Sequence, residues 1–293
     1  MPYATTGDGV RLFFEEAGRG SAVVFVHEFG GNHWSWEPQM NAFSRRHRCL
    51  TFAARGFPPS DVPQDADAYS QARAADDIID VMDAAGIDRA HLVGLSMGGF
   101  AVLHAGLRHP GRVLSITAAG AGYGAEKAHE AYFKGVSEQV AASFEARGAK
   151  DFAPVYAQGA SRVQFQAKDP RGWALFAERL GEHSARGAAH TMRGVQMQRP
   201  SLYDLEAEFR AMAVPLLVLV GDEDDHCLQP GIFLKKTVPA SGLAVLPKTG
   251  HTLNLEEPEL FNRLLSEFVA QVEAGCWGPR DPRADPAQIM RTT

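Results

Sequence analysis

The sequence predicts an α/β fold, a mostly parallel sheet with helices on both faces, and three observations carry that prediction. Short apolar runs alternate with stretches of helical length, the order expected of parallel strands joined by crossover helices. Several runs, Ala22–Val26 among them, are apolar without a break, as strands covered on both faces must be. The alternation fails once, from Tyr123 to about Met212, where helical patches recur without a convincing strand. A helical insertion inside the sheet domain is the simplest account.

In chain order, Val10–Glu16 and Ala22–Val26 read as strands joined by a Gly18–Ser21 turn, and Cys49–Ala53 as another. Ser70 is placed to cap a helix in which Ala75, Ile78, Ile79 and Met82 share one face, with Gly86 at its end. Ala90–Gly94 is a short strand, and Met97–His109 a nearly all-apolar helix stopped by Pro110-Gly111. Val113–Ala118, Leu216–Val220 and Leu243–Leu246 are further strands. The insertion carries helical patches at Ala125–Arg147, Trp173–Gly181 and His183–Val195. A last helix runs from Pro258 to Val272, with Phe261, Leu264, Leu265 and Phe268 on one face and acidic residues at its positive end. Beyond Gly275 the Pro- and charge-rich sequence is expected to form a surface or disordered tail.

Composition narrows the class of function. With 293 residues, 45% hydrophobic and 22% charged, the chain is an ordinary globular protein able to bury a large core without metal or disulfide staples. A net charge of −6 offers no basic footprint for nucleic acid. Cys49, Cys227 and Cys276 are odd in number and lack a CxxC, which argues against a disulfide framework and a zinc site. The N-terminus has no signal-peptide pattern and no run is long enough to span a bilayer, so a cytoplasmic location without membrane association is expected. Assembly is left at a possible homodimer.

The motif that decides the chemistry is Gly94-Leu95-Ser96-Met97-Gly98, a G-x-S-x-G with a strand before it and a helix after it. A serine on so sharp a turn takes a strained backbone, and its flanking residues must be small enough to let strand and helix pass. The turn lifts the hydroxyl clear of the sheet and sets the Met97 N–H at a helix N-terminus, where it can hold an oxyanion. A nucleophilic serine needs a base, and His251 follows a strand in Gly250-His251, at the sheet edge where such folds gather their sites. The base needs an orienting acid, and Val113–Ala118 is followed by Ala119–Gly122 with no carboxylate. The acid must therefore come from Asp222–Asp225, where Asp224 is favoured over its rivals Asp222 and Asp225. A cation site in Asp222–His226 is the other reading of that acidic loop. Gly94–Gly99 does not fit a dinucleotide GxGxxG, since serine stands where the second glycine belongs.

With these residues the chain resembles the α/β-hydrolase family, over about Val10 to Val272. The order Ser…Asp…His is the family's, as are Gly221–Asp224, Gly250-His251 and the His27 loop after Ala22–Val26. Arg55–Asp61 also resembles the loop after the family's fourth strand, though Ala53-Ala54 stands where an Asp is often found. The resemblance implies an eight-stranded core over 1–122 and 213–274, a helical cap over 123–212 inserted after the sixth strand, and a tail over 275–293. It also implies that Phe29 donates the second oxyanion N–H beside Met97. One departure stands out: the loop opens His27-Glu28 where the family usually has His-Gly. The Glu28 side chain is expected to turn away and pair with a base such as Arg55; the sharper alternative is a contact with substrate or with the attacking water.

The pocket is expected to be mainly apolar, with Glu28, His33, Trp34, Tyr123 and Trp173 as lining candidates, and Trp36, Phe100 and Phe165 as weaker ones. Arg186, Arg193 and Arg199 read as a solvated face, from which one Arg could anchor an acidic substrate. The expected chemistry is cleavage of an ester or lactone of a small-molecule substrate through an acyl-enzyme on Ser96, with no cofactor and no metal. Serine rather than aspartate at 96 disfavours the dehalogenase and epoxide-hydrolase branches. Carbon–carbon bond hydrolysis, a cofactor-free perhydrolase and a non-catalytic receptor on the same fold remain as alternatives.

Overall fold

In a computed structural model, which describes residues 2–284, the strands are β1 (Tyr3–Thr5), β2 (Arg11–Ala17), β3 (Ala22–Val26), β4 (Arg48–Phe52), β5 (Ala90–Leu95), β6 (Val113–Ala119), β7 (Leu216–Gly221) and β8 (Ser241–Leu246). They form one eight-stranded sheet in the order β1-β2-β4-β3-β5-β6-β7-β8. β1 and β2 join antiparallel at one edge, and from β4 to β8 every pairing is parallel. The strand missing from the hydrophobic pattern is β1, three residues long, too short to give a periodic signal.

The unbroken apolar strands divide their side chains between two cores. Val24, Val26, Leu92, Val218 and Val220 face α2 (Gln71–Ala84), α3 (Met97–Arg108) and α9 (Asp225–Thr237). Val23, Phe25, Val93, Leu95 and Leu219 face α1 (Glu37–Phe43) and α11 (Pro258–Glu273). Burying each aliphatic side chain is worth about 1.5–3 kcal/mol, which is why both faces must be covered. The helix signals act locally as well. Ser70 Oγ accepts the Arg73 N–H at 3.1 Å at the start of α2, and Gly86 takes the left-handed φ of 65° that ends it.

Between β6 and β7 the chain forms α4 (Glu130–Tyr156), α5 (Val163–Lys168), α6 (Pro170–Leu180), α7 (Ala185–His190) with a wide π-helical turn (Thr191–Gln196), and α8 (Glu206–Ala211). Gly148, at φ 77° and ψ 161°, breaks α4 into two segments. Phe144, Phe152, Phe176, Leu180 and Met192 pack together and onto Phe29, Phe57 and Met97 of the sheet unit. Beyond α11, Trp277 packs edge-on against Phe268 and donates its indole N–H to the Ala240 carbonyl at 3.0 Å. The rest of the expected tail, 285–293, lies outside the described residues. Among the described residues no helix is long and apolar enough to cross a membrane.

The strand order fixes where a site can form. The chain goes from β3 to β4 on one side, then back across to β5 on the other, so the carboxyl ends of β3 and β5 flank a topological switch point. Val26 pairs with Gly94, so the loops from residue 27 and from residue 95 leave adjacent strands side by side.

Candidate active site

Ser96 sits between β5 and α3 with φ 55° and ψ −113°, a conformation that non-glycine residues adopt only when their surroundings hold them there. Its N–H donates to the Ala119 carbonyl at 2.8 Å, and its own carbonyl accepts the Phe100 N–H at 3.0 Å. The small-residue requirement is measurable at the two flanking glycines. A Cβ on Gly94 would lie 2.1 Å from the Gly98 carbonyl oxygen, and one on Gly98 would lie 2.1 Å from that of Val26.

His251, after β8, and Asp224, after β7, come together: His251 Nδ1 lies 2.8 Å from Asp224 Oδ2, and the carboxylate is fully buried. Burial alone would raise the Asp224 pKa, but the facing imidazole and its hydrogen bond more than offset it and hold the acid below its ordinary value. The rival acids are engaged elsewhere. Asp222 accepts the Thr249 N–H at 3.1 Å, and Asp225 begins α9. Among the described residues one trio has the spacing of metal ligands, Asp224, Cys227 and His251, with ligand atoms within 4.8 Å of one another. It contains the hydrogen-bonded acid and imidazole themselves rather than the neighbouring acids of the loop.

The loop after β3 is held by His27. Its Nε2 accepts the Ala54 N–H at 3.0 Å, so Nδ1 carries the proton and donates to the Glu28 carbonyl at 2.6 Å. Burial pushes the His27 pKa down to about 4, in keeping with this neutral tautomer. Neither the Phe29 N–H nor the Met97 N–H reaches an acceptor among the described residues, and the latter starts α3. The expected partner of Glu28 is corrected. Arg55 is engaged with Asp77 at 2.7 Å and Asp8 at 2.8 Å, and Glu28 instead pairs with Arg162 of the insertion. Both Glu28 and Arg162 are almost wholly buried, their side chains 1% and 2% exposed. The Arg162 guanidinium also lies over the Phe176 ring, 5.0 Å from its centroid.

Ser96, His251, Phe29, Glu28 and Tyr123 line one cavity of about 420 Å³ between the sheet and the insertion. The Tyr123 ring meets His251 edge-on at 4.9 Å. Three lining candidates lie elsewhere. His33 packs against Phe13, Trp34 carries the Arg179 guanidinium 4.7 Å over its ring, and Trp173 donates its indole N–H to the Ala157 carbonyl at 2.8 Å. Trp36 and Phe165 are buried in the two hydrophobic cores on either side of that site, as packing groups.

Residues 21–258 match the model of the family described as alpha/beta hydrolase fold. The chain belongs to the α/β hydrolase fold family. Among similar proteins are a 3-oxoadipate enol-lactonase of Acinetobacter baylyi, 26% identical over 86% of this chain and 90% of its own length, and a 2-hydroxy-6-oxo-6-phenylhexa-2,4-dienoate hydrolase of Burkholderia cepacia, 28% identical over 89% and 91%. Among solved structures, the enol-lactonase of Burkholderia xenovorans LB400 has a TM-score of 0.80 at 22% identity, covering 92% of this chain and 100% of that one. Est816, described as an N-acyl homoserine lactone degrading enzyme, has a TM-score of 0.74 at 26% identity over 91% and 100%.

Four residues of this α/β hydrolase were not singled out from sequence at the site. Cys227 lies against Asp224 one helical turn into α9. Glu256 gathers the Gly250 N–H at 2.6 Å and both the N–H and hydroxyl of Thr252 at 2.9 Å, fixing the His251 loop from both sides. Arg162 and Tyr156 reach the cavity from the insertion. Glu256, five residues after His251 at the end of the short α10 (Leu253–Glu256), acts within its own loop; the others depend on tertiary packing. Arg199, read as part of a solvated face, is instead in the cavity wall.

Proposed function

We propose that this α/β hydrolase is a serine hydrolase that cleaves a carboxylic ester or lactone of a small, largely apolar substrate through an acyl-enzyme on Ser96. One observation carries the reading. A serine held at φ 55° on a strand-to-helix turn opens into the same cavity as a histidine whose far ring nitrogen is bonded to a buried aspartate.

The steps follow from that arrangement. Asp224 holds the proton on His251 Nδ1, leaving Nε2 as the base. Nε2 takes the Ser96 proton as Oγ attacks the substrate carbonyl carbon, and the oxyanion accepts from the Phe29 and Met97 N–H groups. Two such donors, unspent among the described residues, one in the loop after β3 and one at the start of α3, are worth about 3–4 kcal/mol each to the transition state. The imidazolium returns its proton to the departing alkoxide; in a lactone the alcohol stays tethered to the acyl group. A water, deprotonated by Nε2, then attacks the acyl carbon, the acyl–Oγ bond breaks as the imidazolium returns the proton to Ser96 Oγ, and the acid leaves. These steps call on no metal or cofactor. Residues 123–212 act in this reading as a cap that excludes water, over a core of 1–122 and 213–274.

The relatives named as lactonases support the lactone arm of this reading. The dienoate hydrolase at 28% identity favours a second one, hydrolysis of a carbon–carbon bond in a ring-fission-type diketone by the same residues. The test is hydrolysis of p-nitrophenyl esters of rising chain length and of a lactone series, each beside the Ser96→Ala protein. Ser96-dependent turnover of either supports the proposal, and the length optimum sizes the pocket. Wild type and variant equally inert on both, with Ser96-dependent loss of a vinylogous diketone's absorbance, transfers the assignment to carbon–carbon cleavage. Inertness on all three, with tight ligand binding, leaves a receptor.

A further inference from the structure

The cavity holds five formally charged aliphatic or guanidinium side chains, and four of them cancel in pairs. Glu28 is bonded to Arg162, and Glu130 to Lys134 at 2.7 Å. The fifth, Arg199, has no carboxylate within ion-pair distance among the described residues, whereas Arg193 on the same segment has two, Glu138 and Glu145. Asp224 is committed to His251 and fully buried.

Arg199 is held firmly although nothing neutralises it. Its guanidinium carbon stacks 3.7 Å from the centroid of Phe100, a buried ring one helical turn after Ser96. One terminal nitrogen donates to the Tyr123 carbonyl at 2.5 Å and the other to Gln196 Oε1 at 2.8 Å. A guanidinium presents five N–H bonds, so these contacts fix its plane and leave donors unspent. The residue as a whole is half-buried, and desolvation of the guanidinium with no carboxylate beside it pulls its pKa below the ordinary guanidinium value. A flexible surface arginine would turn to water; this one is stacked and bonded so that its charge stays in the cavity wall near the nucleophile.

We propose that Arg199 is an anion-recognition residue, and that the substrate is an ester or lactone carrying a carboxylate on its acyl portion, a few atoms from the scissile carbonyl. Such a carboxylate meets the fork of the guanidinium with charge-assisted hydrogen bonds, a pairing for which the planar arginine is better suited than lysine. The rest of the acyl chain lies against the apolar wall formed by Phe133, Val136 and Met197. The inference rests on the serine-hydrolase reading and narrows it to one substrate class.

The test is a ratio. The mono-p-nitrophenyl esters of succinate, glutarate and adipate, each a half-ester with one free carboxylate, are compared with neutral p-nitrophenyl esters of equal chain length. In the wild type kcat/KM favours the best half-ester by about tenfold or more. Arg199→Gln brings the ratio near or below one, and Arg199→Lys keeps part of it. A wild-type ratio near one, or a ratio unmoved in Arg199→Gln while both rates fall together, overturns the proposal and leaves Arg199 as a prop for Tyr123. Where Arg199→Gln does not fold, the wild-type ratio and the Arg199→Lys ratio decide. Calorimetry of glutarate binding to Ser96→Ala and to Ser96→Ala with Arg199→Gln separates the two readings. Arg199-dependent binding with no turnover of any ester sinks the hydrolase reading alone. Ser96-dependent turnover of neutral esters with no Arg199-dependent glutarate binding sinks this inference alone.

Discussion

Breaking the Glu28–Arg162 pair tests how the insertion is tied to the loop beside Ser96. The pair joins residues 134 apart in sequence, both side chains at most 2% exposed, so neither charge can be hydrated when the other is removed. Leaving one member of a buried pair alone costs about 3–5 kcal/mol. At about 2 °C per kcal/mol for a domain of this size, either Glu28→Gln or Arg162→Gln lowers Tm by roughly 6–10 °C. The double variant loses clearly less than the sum, because the second change removes the stranded charge. Glu28 Oε1 and the Arg162 Nε and Nη1 atoms have no hydrogen-bond partner among the described residues, so the pair is incompletely satisfied, and replacing both by methionine is near neutral. The kinetics split the singles. Arg162→Gln strands an anion one residue from the Phe29 N–H, where the proposed mechanism develops negative charge, while Glu28→Gln strands a cation there. On the proposed mechanism kcat falls roughly tenfold further in Arg162→Gln than in Glu28→Gln, which corresponds to about 1.4 kcal/mol. Thermal melts and ester kinetics on the four-protein cycle supply both readouts. A coupling energy below about 0.5 kcal/mol in the melts, within ordinary additivity, would refute the argument from burial. Equal kcat losses would refute the electrostatic one.

Four further outcomes follow from the same structure. Ser96→Ala abolishes ester turnover by about 10⁶-fold in kcat with the fold intact by circular dichroism. Asp224→Asn leaves the His251 contact but disfavours the proton on Nδ1, and kcat drops by about 10⁴-fold in the same assay. Gly98→Ala forces a Cβ to 2.1 Å from the Val26 carbonyl and costs more than about 4 kcal/mol, seen as loss of soluble, cooperatively melting protein. Burial holds the His183 pKa down to about 3, and neither of its ring nitrogens has a partner among the described residues, so it stays neutral in the fold. The unfolded chain takes up that proton below about pH 6.5, so stability falls as pH drops from 6.5 towards 3, by about 1.4 kcal/mol per unit for this one group. Urea titrations across pH 4–7 should therefore give a shallower slope for His183→Phe by that amount, and an unchanged slope would contradict it.

What could be read from sequence depended on whether the signal was local. The elbow is local: Gly94 and Gly98 must be small and Ser96 strained because of atoms within a few residues and one neighbouring strand. The same holds for the strand-end positions of His251 and Asp224, since parallel sheets present their carboxyl-terminal loops on one edge. Pocket aromatics are another matter. Trp34 and Trp173 have the bulk and amphipathic character of lining residues, but which way a ring turns depends on the packing of a helical insertion that no short periodicity encodes. Trp34 went to Arg179 and Trp173 to the Ala157 carbonyl. The short β1 failed to register for the opposite reason, having too few residues for any period.

The charged residues carry the deeper lesson about the site. Glu28 looks like a liability when read alone, an acid placed where a hydrolase stabilises an anion. Read with Arg162 it is neutralised, and the liability becomes a strut between the loop after β3 and the insertion. Arg199 shows the reverse. Read alone in an Arg-rich stretch it looks solvated, yet its neighbours Phe100, Tyr123 and Gln196 hold it in the wall with no acid to answer it. In both cases the local field depends on tertiary packing: a counter-ion 134 residues away for Glu28, and none among the described residues for Arg199. Among the described residues the cavity's other acidic and basic side chains are paired and one held guanidinium is not, and on the proposal made above the neutralising carboxylate comes from the substrate.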